Sequence, residues 1–229
     1  MLRMLLSGSL SLNGVIAYVL SALAIVFLVL PLHESAHAFA ADKLGDPTAR
    51  YQHRLTLNPM AHVDWLGALM ILLFGFGWAN PVPVNMRNFR NPKRDMALTA
   101  LAGPASNLLA ALVAGLAFGA VNRLYINLYF TSSGLLIWLV ELLAYFFLFL
   151  LRINVSLAVF NIIPIPPLDG SRLLSALLPD RIYYQLMRYE RFFFILILLI
   201  CFSSSFSSVL SGITGAIENG ILSLANLIF

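Results

Sequence analysis

Two histidines and a glutamate, His33-Glu34-Ser35-Ala36-His37, stand at the end of a long apolar run. On a helix, side chains four apart fall about 40° apart around the axis and about one turn apart along it. His33 and His37 can therefore aim their imidazoles at one ion, and Glu34 can reach a water on that ion. Two neutral nitrogen ligands with an adjacent carboxylate base are what a zinc hydrolase requires. Five residues with three fixed arise by chance in many sequences, so the setting has to carry weight. The chain has only four histidines, and two are here, against sequence apolar enough for lipid, where an ionisable group is costly and a functional suspect.

A hydrolytic zinc site needs three protein ligands and one open position. The remaining candidates are His53, His62, Asp64, Glu141 and Asp169. Asp169 is the best placed. It closes the run Asn161-Ile-Ile-Pro164-Ile-Pro-Pro-Leu168-Asp169-Gly170, at the end of an apolar span and at the depth expected for His33 and His37. The prolines there remove backbone donors, and irregular backbone at membrane depth is tolerated around a cavity. Asp169 has a second reading, as the cap of the next helix, because Asp-Gly-Ser is also good N-terminal chemistry. His53 and His62 read first as loop hydrogen-bonders, and Asp64 as a helix N-cap.

The elements that must position these groups are membrane helices. Hydrophobic residues make up 60% of the 229, charged residues 10%, and mean hydropathy is +0.88, where a soluble domain would carry about a quarter charged residues. The pattern predicts an all-α polytopic membrane protein built as one unit over 1–229. Residues 1–13 form a short amphipathic lead, retained because no cleavage site follows it. A first span starts at Val15, carries His33 and His37, bends at Pro31 and stops near Gly45. Residues 96–121 and 134–163 form two further spans, joined by a loop at 122–133. A fourth span covers 192–210, and the tail 211–229 forms a fifth short helix or lies in the interface. The run Pro81-Val82-Pro83-Val84-Asn85 alternates and admits an edge strand or small β-hairpin. Glu141 and Arg152, about three turns apart within the third span, each face another helix or a polar cavity. Cys201 is the only cysteine, which excludes an internal disulfide.

Charge sets the expected orientation. Of the fourteen Lys and Arg residues, eleven fall in two blocks: Lys43, Arg50, Arg54, Arg87, Arg90, Lys93 and Arg94, and then Arg172, Arg181, Arg188 and Arg191. Both blocks face the cytoplasm by the positive-inside rule. That requires the short, glycine-punctuated run 64–79 to be re-entrant, returning to the side it left. The N-terminus is then external and the His33–His37 end of the first span cytoplasmic. A net charge of +4, dispersed in this way, does not suggest nucleic acid.

The two long motifs together, His33-Glu34-x-x-His37 and Asn161-x-x-Pro164-x-x-x-Leu168-Asp169-Gly170, resemble the site-2 protease family of intramembrane zinc metalloproteases. Leu57-Asn58-Pro59, Pro81-Val82-Pro83-Val84-Asn85 and Gly103-Pro104-Ala105-Ser106-Asn107 match as well. The resemblance runs from about residue 15 to 190 and is to compact members without PDZ or CBS domains. It implies a three-helix catalytic core, with one or two C-terminal helices over about 191–229. It implies one zinc ion held by His33, His37 and Asp169, with Glu34 as base. It further implies that Asn107 and Asn161 line the cleft, and that Pro83, Val84 and Asn85 offer an edge to an extended substrate. The activity so implied is cleavage of a transmembrane segment of another membrane protein in the cell membrane. The competing readings are a non-catalytic membrane protein of the same fold, binding a partner or a metal, and a transporter, for which no inverted repeat is visible. Oligomeric state has no signature in the sequence.

Overall fold

The computed structural model describes residues 11–74, 77–129, 133–201 and 203–229, and only the backbone of Leu198. The amphipathic lead expected at 1–13 lies outside the described residues as far as residue 10. The protein is all-α, with eight principal helices among the described residues: α1 (Leu12–Leu44), α2 (Trp65–Phe74), α3 (Pro92–Leu128), α4 (Gly134–Ile162), α5 (Gly170–Leu177), α6 (Asp180–Arg188), α7 (Glu190–Cys201) and α8 (Ser204–Ile228). Helices α1, α3 and α4 are each long and apolar enough to cross a membrane.

Helix α1 continues through Pro31 without ending there. The ring of Pro31 crowds the carbonyl one turn earlier, and the helix widens into a π-helical turn over Ile25–Val29. Gly45 then stops α1 in the left-handed region at φ 113°, with its N–H donating to the carbonyls of Ala41 and Asp42. Ala17, Ala22, Ile25, Val26 and Val29 of α1 pack against Phe149, Ile153 and Leu157 of α4. Polar contacts along this face set the register. Ser21 donates to the Phe146 carbonyl at 2.9 Å, and Asn13 to the Glu141 carboxylate at 2.5 Å.

The segment after the first span closes on itself. The N–H of Asn80 donates to the His62 carbonyl and its side chain to the Val63 carbonyl, 2.8 and 2.9 Å. Between them α2 runs out, and Gly67 lies so close to the returning chain that a Cβ there would sit 2.0 Å from the Trp78 carbonyl oxygen. The chain thus enters and leaves the excursion at one place. The Tyr18 hydroxyl, donating to the Ile71 carbonyl at 2.8 Å, ties the excursion to α1.

Three expectations need correction. No strand occurs among the described residues, so the edge strand or hairpin at 81–85 does not form. Pro81 and Pro83 have no N–H, and the amides of Val82 and Asn85 donate to the carboxylates of Glu34 and Asp46 instead of to a neighbouring strand. The loop expected at 122–133 is shorter, because α3 runs on to Leu128; Asn122 to Leu128 contains no glycine or proline to stop it. The fourth span expected at 192–210 is broken into α7 and α8, which meet at 85°. The serine-rich stretch at 203–208 offers hydroxyls that compete for backbone groups, and Ser203 is extended at the start of α8. Helix α8 lies against α3 and α4, with Ile221 over Gly115 and Ala225 over Gly119. The Arg152 and Glu141 side chains do not meet each other. Arg152 reaches Glu218 of α8 at 3.6 Å.

A buried carboxylate outside the spans fastens the connecting chain. Asp46 is fully buried and accepts hydrogen bonds from the Thr48 N–H and hydroxyl, the Asn85 N–H and the Asn88 amide. Burial alone would raise its pKa; these hydrogen bonds outweigh that and hold it below the usual carboxylate range. A carboxyl lowered in the folded state stabilises the fold where it is ionised, and the contribution fades as pH falls from about 4 towards the lower folded value. Asp46→Asn should lower thermal stability by about 2 kcal/mol at neutral pH, and the gap from wild type should narrow on acidification, as followed by the unfolding midpoint in detergent.

Candidate metal centre

His33 and His37 project from one face of α1 near its C-terminal end, at 4% and 7% exposure. Asp169 approaches them from the chain that follows α4. The Nε2 atoms of the two histidines are 3.1 Å apart, and the Asp169 Oδ2 is 3.1 Å from His33 Nε2 and 3.2 Å from His37 Nε2. These are the one group of three or more potential metal ligands within reach of a common ion among the described residues. In a tetrahedral zinc site with ligands at about 2.0–2.1 Å, neighbouring donor atoms stand about 3.3 Å apart. The observed triangle is one face of such a tetrahedron, so the residues fit a zinc ion. Two imidazoles and a carboxylate are also the donor set of hydrolytic sites, which keep the fourth position open.

Neighbouring groups prepare these ligands. His37 donates from Nδ1 to the Thr99 carbonyl at 2.7 Å. In the neutral ring this fixes the tautomer and directs the Nε2 lone pair at the triangle. The two readings of Asp169 are resolved by its contacts. It stands at the N-cap position of α5, yet its side chain makes no capping hydrogen bond and is turned to the imidazoles. Burial works to raise its pKa, while the two imidazoles pull it well below the usual range, so it sits there as an anion. Gly170 lets the chain turn, since a Cβ there would stand 2.1 Å from the Ile162 carbonyl oxygen.

Beside the triangle is a cavity of about 250 Å³, lined among others by His33, Glu34, His37, Asn161 and Asp169. One Glu34 oxygen accepts the Val82 N–H at 3.0 Å. Val84 also lines the cavity, but Asn107, Pro83 and Asn85 do not. Asn107 is 1% exposed on α3, and neither of its amide atoms has a partner among the described residues. It lies one helical turn beyond Gly103, on the helix that packs against both imidazoles. Asn85 caps a short turn, accepting from the Arg87 N–H and donating its own N–H to Asp46. His62 is buried and donates to the Thr56 carbonyl at 2.8 Å, while His53 sits exposed in a turn at φ 55°.

Gly103 and Thr99 are functional positions that the sequence reading left without a role. A Cβ on Gly103 would stand 2.3 Å from His37 Nε2 and 2.6 Å from His33 Cε1. Helix α3 therefore lies flush against both rings and can do so only with glycine. The available signal was the four-residue spacing of Thr99, Gly103 and Asn107, a single stripe on the helix.

A family model described as Peptidase family M50 matches residues 132–203, a range that carries Asp169 but neither histidine. Across most of the chain, 199 residues are 37% identical to "Putative zinc metalloprotease YwhC" of Bacillus subtilis (strain 168), covering 86% of this chain and 87% of that protein. The chain belongs to peptidase family M50, the site-2 proteases. Over 145 residues it is also 32% identical to "Putative zinc metalloprotease Rip2" of Mycolicibacterium smegmatis, covering 61% of this chain and 50% of that protein. No solved structure matches it with significance. Membership of M50 brings a metalloprotease function and a place in a membrane, in agreement with the apolar helices. Within this M50 chain, Gly103→Ala should weaken zinc binding by about 10- to 100-fold, as support groups around metal ligands do, with little change in helix content. Competition against a chromophoric chelator, alongside circular dichroism, measures both.

Proposed function

We propose that the protein is an intramembrane zinc endopeptidase that cuts a transmembrane segment of another membrane protein. The observation that carries this reading is the triangle of His33 Nε2, His37 Nε2 and Asp169 Oδ2, formed where two membrane helices end beside a cavity that also holds Glu34. One zinc ion per chain would be held by these three atoms, acidifying a bound water and polarising the scissile carbonyl. Glu34 takes the proton of the attacking water and delivers it to the leaving amine. Asn161, on the cavity wall, offers an amide to the substrate backbone. A membrane-spanning substrate is helical, with its amides already bonded, so it must be locally unwound where water can reach it. A site near one surface of the bilayer, beside irregular chain at 163–169 and 77–85, suits both needs.

In this reading the protein is multi-pass in the cell membrane, with residues 15–190 as the catalytic core and the arginine-bearing chain at 43–94 and 172–191 in the cytoplasm. The N-terminus is then external and the metal centre lies near the cytoplasmic side. Labelling of a cysteine introduced between Arg87 and Arg94, in a Cys201→Ser background, by a membrane-impermeant reagent should fail in intact cells and succeed after permeabilisation.

Glu34→Gln should lower cleavage by at least about a hundredfold while zinc remains bound, as read by fragment analysis and metal content. Cleavage by wild type should stop with a zinc chelator and return with added zinc. Full activity in Glu34→Gln would remove Glu34 as the base, and indifference to chelation would remove the metal.

A further inference from the structure

The buried carboxylate of Glu34 is held by a backbone group, and that group is itself held by a cation. The Val82 N–H donates to Glu34 Oε2 at 3.0 Å, in a position where Val82 is 5% exposed. The other end of the same peptide unit is the Pro81 carbonyl. An Nη2 of Arg54 donates to it at 3.2 Å and to the preceding Asn80 carbonyl at 2.7 Å. A peptide unit is planar and rigid, so a guanidinium on its oxygen and a carboxylate on its N–H lie at the two ends of one dipole. Each strengthens the other, because a positive group on the carbonyl polarises the amide and makes its N–H a better donor. Prolines at 81 and 83 restrict the backbone on either side, and the hydrogen bonds from Asn80 to His62 and Val63 anchor the near end. Arg54 itself does not line the cavity.

We propose that Arg54 is a positioning residue for Glu34, acting through the 81–82 peptide unit. The guanidinium holds that amide in place, and the amide fixes the rotamer of the glutamate. The inference rests on the reading of Glu34 as the catalytic base. It accounts for the 80–85 segment without an edge-strand role at residue 82, since that N–H is already taken.

The test uses the full chain, zinc-loaded and reconstituted in liposomes. It compares Arg54→Leu, Arg54→Lys and an ester at the 81–82 linkage, made by placing the α-hydroxy analogue of valine at position 82. The ester removes the one N–H and keeps the side chain. Two readouts are taken. The first is the infrared carboxylate stretch of Glu34, assigned by its loss in Glu34→Gln. The second is cleavage of a synthetic single-span peptide bearing a fluorophore and a quencher. The expected result is a shifted carboxylate band in Arg54→Leu and in the ester, and partial restoration in Arg54→Lys. With it should come a fall in kcat of about tenfold, with KM and zinc content unchanged. Combining the ester with Arg54→Leu should add little to either alone. An unshifted band in either variant, or a rise in KM at constant kcat, would overturn the proposal. Should Arg54→Leu fail to accumulate, Arg54→Gln is read in its place, with the same band shift and fall in kcat expected. A shifted band with no cleavage by wild type would leave the Arg54 role standing and remove the protease reading.

Discussion

Three electron-pair donors, His33 Nε2, His37 Nε2 and Asp169 Oδ2, crowd within 3.2 Å of one another beside the cavity. The Asp169 carboxylate is within hydrogen-bond reach of both ring nitrogens, so ring protons hold the three together, and a cation that takes the place of those protons is offered three lone pairs at once. Much of the nearby structure serves to hold this triangle. The α3 backbone presses against both rings at Gly103, the Thr99 carbonyl orients one of them, and the tight turn at Gly170 delivers the carboxylate.

The bundle that holds this centre uses polar contacts sparingly and at defined places. In lipid there is no hydrophobic gain from joining two apolar helices, so close packing and hydrogen bonds decide which faces meet. Small residues let α8 settle on α3 at Gly115 and Gly119. Single polar pairs then set register: Asn13 with Glu141, Ser21 with the Phe146 carbonyl, Arg152 with Glu218. The ionisable residues at 141 and 152, unexpected within an apolar span, are accounted for by partners on α1 and α8.

The connecting chain between α1 and α3 links the two halves of the chemistry. Asp46 collects its hydrogen bonds from both ends of that chain. Asn80 closes the excursion of α2, and Val82 brings a backbone donor to Glu34. Residues that read as a strand by alternation pair with no strand here: the amides of Val82 and Asn85 are claimed by buried carboxylates, and the two prolines have none to offer.

The sequence by itself determined the class of protein, the span that carries His33, Glu34 and His37, and Asp169 as the best placed of the candidates for a third ligand. Those follow from local properties: hydropathy over a span's length, the helical period, and donor type at fixed spacing. Only the tertiary structure decided that Asp169 turns to the imidazoles instead of capping α5, that Asn161 lines the cavity, and that α7 and α8 are separate helices. The roles of Gly103 and Arg54 were equally out of reach. A glycine's importance lies in what would collide with the side chain it lacks, and that of Arg54 in carbonyls more than twenty residues along the chain. Both are facts about distance in space, which spacing along the chain does not encode.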